Sequence, residues 1–220
     1  VIFDLDGTLL DSLDDIRDAL VATLGVAGDA APDRDTVRRW IGGGARELVA
    51  HALAARASAA PVPAAAAEAE IDATLAAFRD RYHAAPVVHS RLYDGVAEVL
   101  DALVAAGRPL AVLTNKPHAL TQEIAAIVLA RWPWRAIVGQ RPGGPLKPDP
   151  AAAAPVLDAL GVAPAACVMV GDSDIDVHAA RAVGMRAVAV SWGFRPRAEL
   201  VASTPDALVD APHELLAALA

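Results

Sequence analysis

Four short apolar runs dominate the reading of this chain: VIF at 1–3, LAVLT at 110–114, CVMVG at 167–171 and AVAVS at 187–191. The last three each follow a helical-looking segment that closes near a glycine, Gly107, Gly161 or Gly184. Continuous apolar strands alternating with helices indicate a parallel sheet covered on both faces. Right-handed crossovers then predict a doubly wound, Rossmann-like α/β core, whose ligands gather at the carboxyl ends of its strands. The polar residues at those ends are Asp4 and Asp6, Thr114 and Asn115, and Asp172.

Between 13 and 87 the strand pattern stops. Ile16, Leu20 and Leu24, and later Ile71, Leu75, Phe78 and Tyr82, recur at helical spacing. The expected organisation is an α/β core at 1–12 and 88–220, interrupted by an α-helical insert at 13–87. Ser12 followed by Asp15 reads as a capping box that starts the first helix. AAPVPAAAAEAE reads as a prolyl loop entering the helix that carries Ile71. In KPDPAAAAPVLDALG, Asp149 is the expected N-cap and Pro150 the first helical residue. Pro155 then falls inside that helix and predicts a bend.

The segment DLDGT places two carboxylates, Asp4 and Asp6, at the end of an apolar strand, with Gly7 available to turn the chain. A solvated Asp-Gly turn would account for it. A second apolar strand, however, ends in VGDSDID, adding Asp172, Asp174 and Asp176. If these strand ends are neighbours, several acids converge. Two like charges about 4 Å apart repel by about 4 kcal/mol at an effective dielectric of 20. A hard divalent cation removes that conflict, and Mg²⁺ suits carboxylate, carbonyl and water oxygens. No Cys/His cluster points to zinc, and the six histidines are dispersed.

Charge and composition narrow the partners. A net charge of −8 with scattered basic residues argues against nucleic acid. No apolar run approaches membrane-spanning length, and no leader pattern is visible from Val1 onward. The single cysteine, Cys167, reads as a packing residue in a chain from a reducing, cytoplasmic setting. Of 19 basic residues only Lys116 and Lys147 are lysine, each directly before a proline. That usage suggests at least one position that needs a compact ammonium.

DLDGT, LTN, a lysine before proline and GDSDID, in that order, resemble the haloacid dehalogenase-like superfamily of phosphatases. DGTLLDS, WIGGGARELV and TNKP are similar to its phosphoglycolate phosphatase branch. The resemblance implies a helical cap in the insert and a role for each motif residue. Asp4 would be the nucleophile and Asp6 the acid and base. Mg²⁺ would be held by the Asp4 carboxylate, the Asp6 backbone carbonyl and Asp172. Thr114, the Asn115 backbone N–H and Lys147 would hold the phosphoryl group, with Asp176 orienting a metal-bound water or Lys147.

The expected activity is Mg²⁺-dependent hydrolysis of a small phosphate monoester, 2-phosphoglycolate first, through an aspartyl phosphate. A phosphosugar mutase of the same superfamily and a non-enzymatic phosphoaspartate switch are the alternatives. WIGGGAR is expected to fold over the active site, with Arg46 as a substrate contact and Trp40 in the core. Asp174 is expected to be a solvated helix-start residue. Lys116 either reaches the pocket or flanks it. Monomer and homodimer both remain open.

Overall fold

A computed structural model describes residues 1–56 and 64–220. The chain opens with β1 (Ile2–Phe3), turns, and leaves through β2 (Leu10–Asp11) into four helices: α1 (Leu13–Leu24), α2 (Arg34–Trp40), α3 (Ala45–Arg56) and α4 (Ala64–Ala84). It returns through β3 (Arg91–Leu92) and continues as α5 (Val96–Ala105), β4 (Leu110–Pro117), α6 (His118–Val128), β5 (Trp134–Gln140), α7 (Ala154–Leu160), β6 (Val168–Gly171), α8 (Asp174–Val183), β7 (Arg186–Val190), α9 (Arg197–Ala202), β8 (Ala207–Val209) and α10 (Leu215–Ala218).

Six strands form one parallel sheet in the order β5-β4-β1-β6-β7-β8. The four apolar runs are the inner part of it. The sequence reading missed β5, where Arg135 interrupts the apolar pattern at the sheet edge, and β8, which has three residues. Side chains alternate across the sheet. Phe3, Val112, Val170 and Val188 face one side with Val99 and Leu103 of α5 and Leu215 of α10. Ile2, Ala111, Met169 and Ala187 face the other with Val156 of α7, Val177 and Ala180 of α8, and Leu200 of α9. Cys167 packs, buried, in this second layer.

The two crossings between core and insert lie side by side, because β2 and β3 pair antiparallel. The expected capping box is not formed. Ser12 makes no side-chain cap bond; its hydroxyl donates to Asp6 instead. The Asp15 carboxylate accepts from three consecutive backbone N–H groups, Val88 at 3.1 Å, His89 at 2.8 Å and Ser90 at 2.8 Å, and from the Ser90 hydroxyl. Asp15 therefore pins the returning chain to the first turn of α1.

Leu75, Phe78 and Tyr82 are buried on α4, with Ile71 half-buried beside them. The prolyl loop expected before α4 lies largely outside the described residues. Asp149 does cap the following turn, accepting from the Ala151 N–H at 2.9 Å. The expected bend at Pro155 does not occur within a continuous helix. Residues 150–152 form a 3₁₀ turn, and α7 starts afresh at Ala154, so Pro155 sits in a first turn, where no helical hydrogen bond is lost.

Candidate active site

The short central strand β1 ends at Asp4, whose backbone N–H still bonds the Val170 carbonyl of β6 at 2.9 Å. The chain then turns at once. The Leu5 carbonyl accepts from Leu9 at 3.0 Å and Leu10 at 2.9 Å, and the Gly7 N–H bonds the Leu10 carbonyl at 2.8 Å. Gly7 has φ +85°, and a Cβ there would lie 2.3 Å from Asp172 Oδ2. Only glycine permits both the turn and the close approach of Asp172.

Asp4, Asp172 and Asp176 each offer a carboxylate oxygen within 4.8 Å of the others. Asp172 ends β6 and is held by the Phe194 N–H at 2.7 Å and the Thr8 hydroxyl at 3.1 Å. Asp176 lies in the first turn of α8. Its Oδ2 accepts from the Ser173 N–H at 3.1 Å and hydroxyl at 2.7 Å, and its Oδ1 accepts from Lys147 Nζ at 2.6 Å. Lys147 Nζ is also 2.9 Å from Asp4 Oδ1. That contact is an ion pair, and the buried Asp4 Oδ1 has no further partner among the described residues.

Burial, opposed by Lys147 and reinforced by Asp176 and Asp6, pushes Asp4 up to about 6. Burial and the charges of Asp4 and Asp176 push Asp172 up to about 8. Burial disfavours the Lys147 ammonium, but Asp176 and Asp4 outweigh it and hold the lysine charged. The cluster thus carries more negative charge than its one ammonium balances. Hard oxygen donors, an Asp4 oxygen whose one neighbour is a shared ammonium, and acids driven toward neutrality fit a divalent cation bound by oxygen.

Asp6 points to the insert side of the same cavity. Its carboxylate accepts from Ser12 at 2.6 Å and from Lys116 Nζ at 2.9 and 3.0 Å. Lys116, left open by sequence, therefore reaches the pocket and is buried there. Thr114 is buried in the cavity wall, and its Oγ1 accepts from the Lys116 N–H at 3.3 Å. The Asn115 side chain ties three segments together. Its Nδ2 donates to the Gly42 and Lys147 carbonyls, each at 3.0 Å, and its Oδ1 accepts from the Lys147 N–H at 2.7 Å. The glycine loop between α2 and α3 consequently rests on the core, with Gly42, Gly44 and Ala45 lining the cavity.

Other placements qualify the sequence reading. Arg46 is exposed and does not line the cavity; its guanidinium pairs with Glu68 and Asp72 of α4. Arg46 is thus held outside the cavity by two acids one turn apart on α4. Trp40 packs against the core, as expected, though half-buried, and stacks on His51. Asp174 does begin α8, as expected, but is half-buried there. The cavity residues that sequence did not single out include Tyr82 and Arg195. Tyr82 of α4 contacts Lys116, and Arg195, after β7, donates to the carbonyls of Arg38 at 3.1 Å and Ile41. Arg195 follows SWGF, a segment that carries no motif of its own.

Comparison with known proteins bears on this arrangement. A family model for haloacid dehalogenase-like hydrolases matches residues 1–184. Phosphoglycolate phosphatase 1 of Pseudomonas aeruginosa is 35% identical over 98% of this chain and 78% of its own length. The phosphoglycolate phosphatase of Rhodospirillum rubrum is 40% identical over 88% of this chain and 80% of its own length. A solved structure, described as a predicted phosphoglycolate phosphatase from Haemophilus somnus, matches with a TM-score of 0.84 at 30% identity, covering 100% of this chain and 96% of that one.

Proposed function

This chain belongs to the haloacid dehalogenase-like hydrolases, and from that premise we propose a Mg²⁺-dependent phosphatase that acts on a small phosphate monoester, 2-phosphoglycolate first, through a phosphorylated Asp4. The observation that carries this reading is the convergence of Asp4, Asp172 and Asp176, with carboxylate oxygens within 4.8 Å of one another and a single buried lysine shared by Asp4 and Asp176.

The Asp4 carboxylate attacks phosphorus while the bond from phosphorus to the leaving oxygen breaks, and Asp6 gives its proton to that oxygen. A water then attacks the phosphorus of the aspartyl phosphate. Asp6 takes the water's proton, inorganic phosphate leaves, and the Asp4 carboxylate is restored. Lys147 offsets charge on the transferring group and on Asp4. Thr114 and the Asn115 backbone N–H are assigned to the phosphoryl oxygens.

The Asp4 carboxylate, the Asp6 backbone carbonyl and Asp172 are assigned to Mg²⁺, and Asp176 to orienting Lys147. When bound, the ion supplies positive charge that lets a carboxylate approach an anionic ester. Helices α1–α4, within the proposed boundaries 13–87, serve as a cap that excludes bulk water.

The carboxylate of 2-phosphoglycolate needs a cation of its own, and we assign Arg195. It lines the cavity, two of its N–H groups go to neutral carbonyls, and no carboxylate pairs with it among the described residues. The other two cavity cations, Lys116 and Lys147, already face Asp6, Asp4 and Asp176.

Purified protein should release phosphate from 2-phosphoglycolate and from p-nitrophenyl phosphate. Asp4→Asn and chelation should each abolish both activities. Turnover that survives either treatment would rule out this mechanism. Preference for an ester without a carboxylate would leave the chemistry standing and displace phosphoglycolate.

A further inference from the structure

Tyr82 sits in the last turn of α4, in the cap, yet its hydroxyl lies within the catalytic hydrogen-bond set. Lys116 Nζ donates to it at 2.8 Å, and the same ammonium donates to both oxygens of Asp6 at 2.9 and 3.0 Å. An ammonium has three N–H donors, and these three acceptors account for them. The charge also lies 4.5 Å from the centre of the Tyr82 ring. Both side chains are buried, so water does not replace a lost partner readily. Asp6 is thus aimed by two donors. Ser12 lies on the core side of the crossing into the insert, and Lys116 takes its own direction from a residue of the cap.

We propose that Tyr82 is a positioning residue that aims Asp6 through Lys116, so that the leaving oxygen receives its proton efficiently only while α4 is seated against the core. The inference rests on the phosphatase reading above. Packing alone does not account for Tyr82. Its ring meets Phe78 edge-on at 5.7 Å, a contact phenylalanine would keep, whereas the hydroxyl contributes only the bond to Lys116.

The test compares two esters. p-Nitrophenolate leaves without needing a proton, whereas the alkoxide of 2-phosphoglycolate or ethyl phosphate needs one. In Tyr82→Phe the ratio of kcat/KM for p-nitrophenyl phosphate to kcat/KM for the alkyl ester should rise about tenfold over wild type. Lys116→Met should raise the same ratio. The double variant should raise it no further than Lys116→Met alone, because the two residues act in series. Equal losses on both esters, a ratio within twofold of wild type, or additive effects in the double variant would overturn the proposal. Wild-type protein that hydrolyses neither ester would overturn the phosphatase reading itself, and this inference with it.

Discussion

Lys147 reaches Asp176 across 2.6 Å, the shorter of two contacts its buried ammonium makes with carboxylates. The other, at 2.9 Å, is to Asp4. A single compact charge therefore serves both the residue assigned to attack and the residue at the start of α8. A guanidinium is planar and wider, and cannot take both directions in the same space. Lys147→Arg should lower kcat on an aryl phosphate by about 100-fold although the charge is kept. Full activity in that variant would show that the ammonium is dispensable.

Removing divalent metal should make stability fall as pH rises. Asp172 is pushed up to about 8 and Asp4 up to about 6, in both cases chiefly by burial. In the unfolded chain both ionise near about 4. Each is therefore protonated in the folded state where the unfolded chain has already lost its proton. The resulting stability is fully present below pH 4 and is lost as pH climbs toward 6 for Asp4 and 8 for Asp172. In a chelated sample the Tm should drop between pH 5 and pH 8, Asp172→Asn should flatten much of that slope, and added Mg²⁺ should restore more at pH 8 than at pH 5. An unchanged slope in Asp172→Asn would contradict this account.

Asp15 should matter more than its position outside the cavity suggests. Burial favours its neutral form, but the Ser90 hydroxyl and the N–H groups of residues 88–90 outweigh that and hold it below the usual carboxylate range. Its contribution is therefore present above pH 4 and lost on acidification. Asp15→Ala leaves three backbone donors without their acceptor, which should cost about 2–4 kcal/mol in urea unfolding. A loss below about 0.5 kcal/mol would mean that water satisfies those amides and that the crossing is not anchored there.

Arg46→Ala should leave kcat/KM for 2-phosphoglycolate within about twofold of wild type, because both of its partners lie on α4 outside the cavity. A large rise in KM would mean that Arg46 abandons Glu68 and Asp72 when substrate arrives.

Much of the layout was legible because strand ends and motifs coincide. Asp4 and Asp172 stand at the ends of adjacent strands β1 and β6, and an apolar run announces each strand. What stayed illegible depends on long-range geometry. Ser12 and Asp15 have capping-box spacing, but Asp6 and the amides of residues 88–90 offer better-placed partners, which no local pattern reveals. Lys116 could not be placed from sequence because its orienting hydroxyl arrives 34 residues earlier, on a different domain layer. The partners of Arg46 were hidden for the complementary reason. A cation beside a glycine loop looks available until the packing of α3 on α4 supplies it with acids.

The strand that carries Asp4 has two residues, the fewest of any strand in the sheet, and lies between β4 and β6. Ile2 aligns with Ala111 and Met169, and Phe3 with Val112 and Val170. Since neighbouring residues point to opposite faces, a slip of a single position would present Leu5 where Asp4 belongs. Chemical competence and the alignment of the innermost strand are therefore one property. On heating, hydrolysis of an aryl phosphate, which needs no proton from Asp6, would persist until the middle of the molecule gives way, and then end with it.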